Sequence, residues 1–304
     1  VVNNCAAAVT ISIATFAQGR EVIVSRGELV EIGGSFRVPD VISQNGAVLR
    51  EIGTTNKTHL RDYENAISEE TAVLLRTHAS NYRMIGFTAK PTLAELSDLA
   101  VQRGLILVED LGSGTLVDLG IGEEPTVAHS IRSGVDLVAF SGDKLLGGPQ
   151  CGIIVGKAAL IAGLRKNPLL RAMRIDKLSL AALEATLRLY CVPNVPFEKI
   201  PVLRMLTEAP AGLEQRAMTL AEAINTIDRA AAEILPIKSE AGGGSLPGLS
   251  LNSFGVAISV GALRASDVMV RLRGNEPAII GRIVDGRAIL DIRTLMEDDP
   301  LDII

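Results

Sequence analysis

Val135-Asp136-Leu137-Val138-Ala139-Phe140-Ser141-Gly142-Asp143-Lys144-Leu145-Leu146-Gly147-Gly148-Pro149, followed by Gln150-Cys151-Gly152-Ile153-Ile154-Val155, decides how this chain is read. Residues 135–140 and 151–155 are short apolar runs bounded by turn residues, the pattern of buried strands. Lys144 therefore falls on a turn between two core strands. Phe140 and Leu145 flank that turn, and its glycines let backbone or ligand approach closely. Desolvation favours the neutral amine, which is the nucleophilic form of a lysine that bonds to a carbonyl carbon. A surface lysine in a glycine turn is the other reading.

A second run separates the two. Residues 104–110, Gly-Leu-Ile-Leu-Val-Glu-Asp, read as another core strand that ends in a carboxylate and is followed by Leu111-Gly112-Ser113-Gly114. Thirty-four residues separate Asp110 from Lys144, room for a loop, a helix over 125–133 and the next parallel strand. Pyridoxal 5'-phosphate (PLP) needs a lysine at one end of its ring and a carboxylate at the pyridine nitrogen, which keeps the ring protonated and electron-accepting. Residues at the carboxyl ends of neighbouring strands can face one ring.

Elsewhere strand and helix patterns alternate. Strands are expected over 21–25, 48–52 and 71–75, and helices over 60–67, 92–102, 157–166 and 178–190. This alternation requires a mostly parallel sheet with helices on both faces, an α/β fold. Pro193, Pro196 and Pro201 mark a boundary, giving a large domain over 1–195 and a small α+β domain over 196–304. In the second, a helix is expected over 213–234 and a strand over 250–260. Ser266 is expected to cap a helix running to Arg273. Residues 278–284 and 287–294 read as a hairpin joined at Asp285-Gly286.

With 304 residues, 47% hydrophobic and 21% charged, the chain can bury a full core. A net charge of −5 excludes a global basic field for nucleic acid, so any RNA must be met by a local patch or by other sequence. Cys5, Cys151 and Cys191 lack metal or disulfide spacing and read as reduced thiols of a cytoplasmic protein. No apolar stretch is long enough for a membrane span.

Several residues join Lys144 and Asp110 as site candidates. Asn4, Cys5 and Ala6 open a helix whose free amides suit the cofactor phosphate, with a plain Asn cap as the compatible alternative. His78, Ser80 and Asn81 follow a core strand, where they can meet the ring or its phenolic oxygen. Ser141 and Gly142 can add a hydroxyl and an amide to the phosphate. Arg171 and Arg174, three apart, share a face on a helical turn and fork toward a doubly charged anion, unless they pair with Asp176 or Glu184. Arg26 and Arg37 in the glycine-rich segment could meet an anion but read first as solvated structural charges, and Arg282 or Arg293 could reach substrate but read first as structural. His59 and His129 read as surface residues.

Longer strings carry a resemblance. The segments Asp110-Leu111-Gly112-Ser113-Gly114, Phe140 through Gln150 and Leu170-Arg171-Ala172-Met173-Arg174-Ile175-Asp176-Lys177 closely resemble bacterial selenocysteine synthase, the L-seryl-tRNA(Sec) selenium transferase. So do Asn3 through Ala8, Arg26 through Arg37, Gly53-Thr54-Thr55-Asn56, His78 through Arg83, Gly242-Gly243-Gly244-Ser245-Leu246-Pro247 and Gly281-Arg282-Ile283. The resemblance implies the PLP-dependent transferase fold type I, aspartate-aminotransferase-like, and conversion of seryl-tRNA(Sec) to selenocysteinyl-tRNA(Sec). Lys144 would carry PLP and move the α-proton, Asp110 would hold the ring nitrogen, and Arg171 and Arg174 would hold selenophosphate. It also implies a homodecamer, a pentamer of dimers. Because the sequence starts at Val1 on its own ligand loop, further N-terminal sequence is expected; in the resembled family that part binds tRNA and supplies an active-site arginine. The residues themselves leave two alternatives: a PLP-dependent β-eliminating lyase on a small amino acid or amino sugar acid, and a non-catalytic assembly subunit.

Overall fold

The structure is a computed structural model and describes residues 1–34, 36–296, 299 and 303. Ser35, within the glycine-rich segment quoted above, lies outside the described residues. The elements run in chain order as α1 (Cys5–Phe16), β1 (Glu21–Ser25), β2 (Glu31–Ile32), β3 (Phe36–Arg37), α2 (Val38–Gln44), β4 (Val48–Ile52), α3 (Leu60–Ala66) and β5 (Thr71–Thr77). Next come α4 (Leu93–Arg103), β6 (Ile106–Gly112), α5 (Val127–Arg132), β7 (Leu137–Ser141), β8 (Gly152–Gly156), α6 (Ala158–Lys166), α7 (Leu169–Ala172), α8 (Lys177–Leu189), α9 (Val195–Lys199) and α10 (Pro201–Thr207). The chain ends with α11 (Pro210–Ile224), β9 (Ala230–Glu240), β10 (Ser250–Val260), α12 (Ala265–Arg273), β11 (Arg282–Val284) and β12 (Arg287–Asp291).

The contacts divide the chain into two units. One is Val1–Leu203 with Gly242–Gly248, and the other is Arg204–Ala241 with Leu249–Ile304. The division thus falls after Leu203, where the prolines suggested residue 195, and the loop between β9 and β10 belongs to the first unit.

In the first unit six strands lie in the order β4-β1-β5-β6-β7-β8, parallel throughout except that β8 runs antiparallel to β7. Every residue of β5 and β7 is buried, as expected for strands covered on both faces. Alternation assigns the side chains. Val73, Leu75, Val108 and Ala139 pack with Ala8, Val9 and Ile11 of α1, while Leu74, Leu107, Val138 and Phe140 pack with Leu96 and Leu99 of α4. Asp110, two residues beyond Val108, therefore points to the α1 side and Glu109 to the other.

Caps fix the helix starts. Thr92 and Glu95 form a reciprocal capping box on α4, Thr92 N donating to Glu95 Oε2 at 2.8 Å and Glu95 N to Thr92 Oγ1 at 3.2 Å. Gly104, with φ +65°, ends that helix in the left-handed region.

The second unit is a four-stranded sheet, order β11-β12-β10-β9, covered by α11 and α12 through Leu213, Leu220, Ile224, Val268 and Met269. Two expectations fail here. The alanine-rich helix stops at Ile224, and residues 230–234 instead pair along β10 in β9. Helix propensity loses to the sheet ladder, with Arg229 at φ +63° making the reversal. Arg264, in extended backbone, is the N-cap of α12, and Ser266 sits inside its first turn. The Asp285-Gly286 hairpin turn has φ +49° and +73°, as a two-residue connection demands. Arg293 is buried and donates to the carbonyls of Met205, Glu208 and Asn252, a structural role.

Candidate active site

The carboxyl ends of β5, β6 and β7 share one edge of the sheet, because Thr77 pairs with Asp110 and Asp110 with Ala139 in parallel register. His78 N donates to the Asp110 carbonyl at 2.9 Å, continuing the ladder past the end of β5. Gly112 and Gly114 then turn the chain with φ +69° and +56°; a Cβ at 114 would run into the Phe140 ring.

Helix α1 enters the same edge. Val2 and Gly152 exchange backbone bonds of 2.8 and 2.9 Å, so the chain before α1 is stitched to β8. The Asn4 side chain accepts from Ala7 N at 2.8 Å and caps the helix. No bond is recorded for the Cys5 and Ala6 amides among the described residues, so both remain donors at the positive end of a 12-residue helix. The Cys5 thiol donates to Asp110 Oδ1 at 3.6 Å.

Asp110 is buried and makes no ion pair among the described residues. Burial pushes its carboxyl up to about 6, the neighbouring Glu109 charge adds to that, and the Cys5 thiol, His78 and the Gly112 amide pull the other way. Burial also drives the Cys5 thiol well above its ordinary range, helped by Asp110 and Asp143 and opposed by Lys144. One thiol thus feels the carboxylate of Asp110 and the ammonium of Lys144 together.

Lys144 sits half-buried on the turn after β7. Gly142 N donates to Cys151 O at 2.9 Å and Gly148 N to Gly142 O at 2.8 Å, closing the turn, while Leu145 and Leu146 plug into the core on its C-terminal side. The loop 242–248 passes beside the lysine: a Cβ on Gly244 would lie 3.2 Å from Lys144 Cε and 3.5 Å from Nζ.

The remaining sequence candidates divide. Ser80 is buried next to Gly112, and His78 lies beside Asp110. Asn81 is exposed and donates to the Glu31 carbonyl at 2.9 Å, so its amide is spent away from Asp110. The Ser141 hydroxyl donates to Asp143 Oδ1 at 2.5 Å, and the Gly142 amide is used in the turn. Arg171 and Arg174 do not share a helical turn, because α7 ends at Ala172 and Arg174 lies in the irregular link to α8. The carboxylates that were to neutralise them are engaged elsewhere: Asp176 caps α8 and Glu184 pairs with Arg188 at 2.6 Å. Both arginines are exposed, and Met173 between them accepts from Asn3 N at 3.0 Å, which ties the pair to the mouth of α1. Arg26 and Arg37 form exposed pairs with Glu51 and Glu31. His59 and His129 are exposed.

Sequence reasoning missed Glu124. Its carboxylate, 3% exposed, accepts from the Ser113 hydroxyl, lies 3.4 Å from His78 Nε2 and accepts from Leu246 N at 3.4 Å. Burial alone would raise it, but the His78 and Ser113 contacts outweigh that and hold it below the usual carboxylate range. A glutamate in the polar stretch 118–126 carries no periodic signal that could have singled it out.

The family model SelA, L-seryl-tRNA selenium transferase, matches residues 1–296. The chain belongs to the L-seryl-tRNA selenium transferase family. Relatives bearing the name L-seryl-tRNA(Sec) selenium transferase include that of Hyphomonas neptunium, 54% identical over 302 residues covering 98% of this chain. Those of Solidesulfovibrio magneticus and Caldanaerobacter subterraneus are 53% and 52% identical over the same share. The chain spans about 65% of the length of each of these family members. Among solved structures, D-glucosaminate-6-phosphate ammonia-lyase aligns with TM-score 0.63 and 24% identity, over 99% of this chain and 77% of its own. A mutant aspartate aminotransferase from Thermus thermophilus aligns with TM-score 0.50 and 17% identity, over 99% and 72%. These likenesses show the fold of the family member described here: the aspartate-aminotransferase-like fold type I of PLP-dependent enzymes. Among the described residues, no helix is long and apolar enough to cross a membrane.

Proposed function

We propose that the protein converts L-seryl-tRNA(Sec) to L-selenocysteinyl-tRNA(Sec) with selenophosphate as selenium donor, and that pyridoxal 5'-phosphate is its cofactor. One observation carries the cofactor reading. Asp110 is a buried carboxylate with no ion pair among the described residues, and Lys144 stands on the turn after β7, the strand paired with the β6 that carries Asp110. A protonated pyridine nitrogen is the cation that such a carboxylate lacks, and the free amides of Cys5 and Ala6 are donors of the kind a phosphate takes. When bound, PLP supplies an electron sink for the carbanion left when a proton departs from an α-carbon.

The chain's own groups do the rest. Lys144 Nζ holds the cofactor aldehyde and afterwards accepts and returns the proton of the seryl α-carbon. Asp110, kept ionised once its missing cation is present, keeps the ring nitrogen protonated. Asn4 serves through its cap, fixing the turn that presents the Cys5 and Ala6 amides. Ser80 and His78 would line the ring when it is bound, while Asn81 and Ser141 brace the neighbouring backbone through Glu31 and Asp143. Arg171 and Arg174, exposed and without carboxylate partners among the described residues, bind the selenophosphate anion. The protein works as a homo-oligomer, a decamer in this reading, for which Leu178, Leu180 and Leu187 on α8 offer exposed apolar surface. Its free thiols suit the cytoplasm.

The test supplies full-length protein with selenophosphate and either seryl-tRNA(Sec) or free serine. Selenocysteinyl-tRNA(Sec) forms only with the tRNA substrate, and Lys144→Ala abolishes both product and borohydride-fixed cofactor. Turnover of free serine alone would instead establish a β-eliminating lyase. Absence of any bound cofactor would favour the assembly subunit.

A further inference from the structure

Among the described residues, Glu124 is a buried carboxylate with three partners and none of the chemical tasks given above. It reaches three segments far apart in sequence: Ser113 just after β6, His78 just after β5, and Leu246 in the loop 242–248. That loop is the one stretch between β9 and β10 that belongs to the first unit, and it passes Lys144 at Gly244. Its backbone is unusual on both sides of the contact, with φ +94° at Gly244, +50° at Leu246 and +70° at Gly248. A non-glycine residue in the left-handed region persists only where its surroundings over-determine it. Leu246 is held by its buried side chain and by the bond from its amide to Glu124.

We propose that Glu124 is a positioning residue whose carboxylate ties His78, Ser113 and the loop 242–248 into one wall of the Lys144 site. The role rests on Lys144 being the cofactor lysine. Oε1 receives the Ser113 hydroxyl and lies 3.4 Å from His78 Nε2, a charge contact that is not closed into a hydrogen bond. Oε2 receives the Leu246 amide, so the same side chain holds the glycine loop against Lys144 and limits water there. A charged acceptor buried to this degree, with donors on both oxygens, is costly to replace by an apolar group.

Hydrogen–deuterium exchange on the full-length protein tests this with and without cofactor. Glu124→Ala is expected to speed exchange of the 242–248 amides about tenfold while β6 amides keep their native protection. The visible band of bound cofactor shifts in the same variant. Glu124→Gln, which keeps an acceptor oxygen and a donor able to meet Ser113, is expected to restore loop protection to within about threefold of native. Should Glu124→Ala fail to fold, Ser113→Ala serves, with about threefold faster loop exchange expected. Native loop exchange in the folded Ala variant, or in Ser113→Ala if that is the variant used, overturns the proposal. So does a uniform rise across the unit that Gln does not reverse, since that marks general stability alone. The cofactor-free arm stands whether or not Lys144 carries PLP, so failure here is distinguishable from failure of the enzymatic reading.

Discussion

Cys5 Sγ donates to Asp110 Oδ1 across 3.6 Å, joining the first turn of α1 to the end of β6. A thiol is a weak donor, and it is the only side-chain hydrogen bond recorded to this carboxylate among the described residues. The carboxylate is left under-compensated near the carboxyl end of β6, which costs stability unless a cation arrives.

That cost gives a pH dependence. Burial raises Asp110 from 3.8 to about 6, so folding is most favoured by this group below the ordinary carboxylate value and loses that contribution as pH rises through about 6. The shift corresponds to about 3 kcal/mol above pH 7. Asp110→Asn should therefore stabilise cofactor-free protein at pH 8 by up to this amount, and by little at pH 4, in denaturant titrations. On the proposed function, the same variant should lose catalytic turnover, because a neutral amide would no longer hold the ring nitrogen protonated.

Gly244 is expected to tolerate no side chain. Its φ of +94° strains any L-residue, and a Cβ would sit 3.2 Å from Lys144 Cε. Gly244→Ala should cost about 1 kcal/mol or more in stability and slow turnover roughly tenfold or more, with cofactor still bound. Paired thermal melts and single-turnover kinetics measure the two effects.

Arg171→Ala and Arg174→Ala should each raise the KM for selenophosphate by about tenfold to a hundredfold, the worth of a charge-assisted hydrogen bond. Cofactor affinity should stay unchanged, since neither arginine contacts Asp110 or the α1 amides. Lysine at either position should rescue only in part, because it lacks the planar fork. Initial rates against donor concentration provide the check.

On the opposite face of the sheet Arg76 Nη1 meets Glu28 Oε1 at 3.0 Å, both side chains under 10% exposed, and Glu28 Oε2 accepts from Thr77 N at 3.2 Å. Arg76→Met strands a buried carboxylate and should cost about 3–5 kcal/mol in urea unfolding. Adding Glu28→Leu should recover part of that loss, a non-additivity that identifies the pair as coupled.

The strand preceding Asp110, the turn bearing Lys144 and the alternation of strands with helices were all legible in the chain, because each is a local pattern of burial and turn chemistry. Strands 21–25, 48–52 and 250–260 fall where the periodicity puts them. The alanine-rich segment after Leu213 departs from its helical pattern at its end, since cross-strand pairing with β10 outweighs propensity at residues 230–234. The Arg171–Arg174 pair was placed on a helical turn that stops one residue after Arg171, and Asn81 spends its amide on Glu31.

Sequence by itself determined the fold class and offered the lysine and the aspartate as candidates, because a buried parallel sheet imposes continuous apolar runs and leaves polar groups at their ends. Only tertiary structure decided who stands beside them. The thiol on Asp110, the glycine loop beside Lys144 and the Glu124 carboxylate between His78 and Leu246 each join segments distant in the chain. Such meetings follow from packing around a common core, which no local window of sequence encodes.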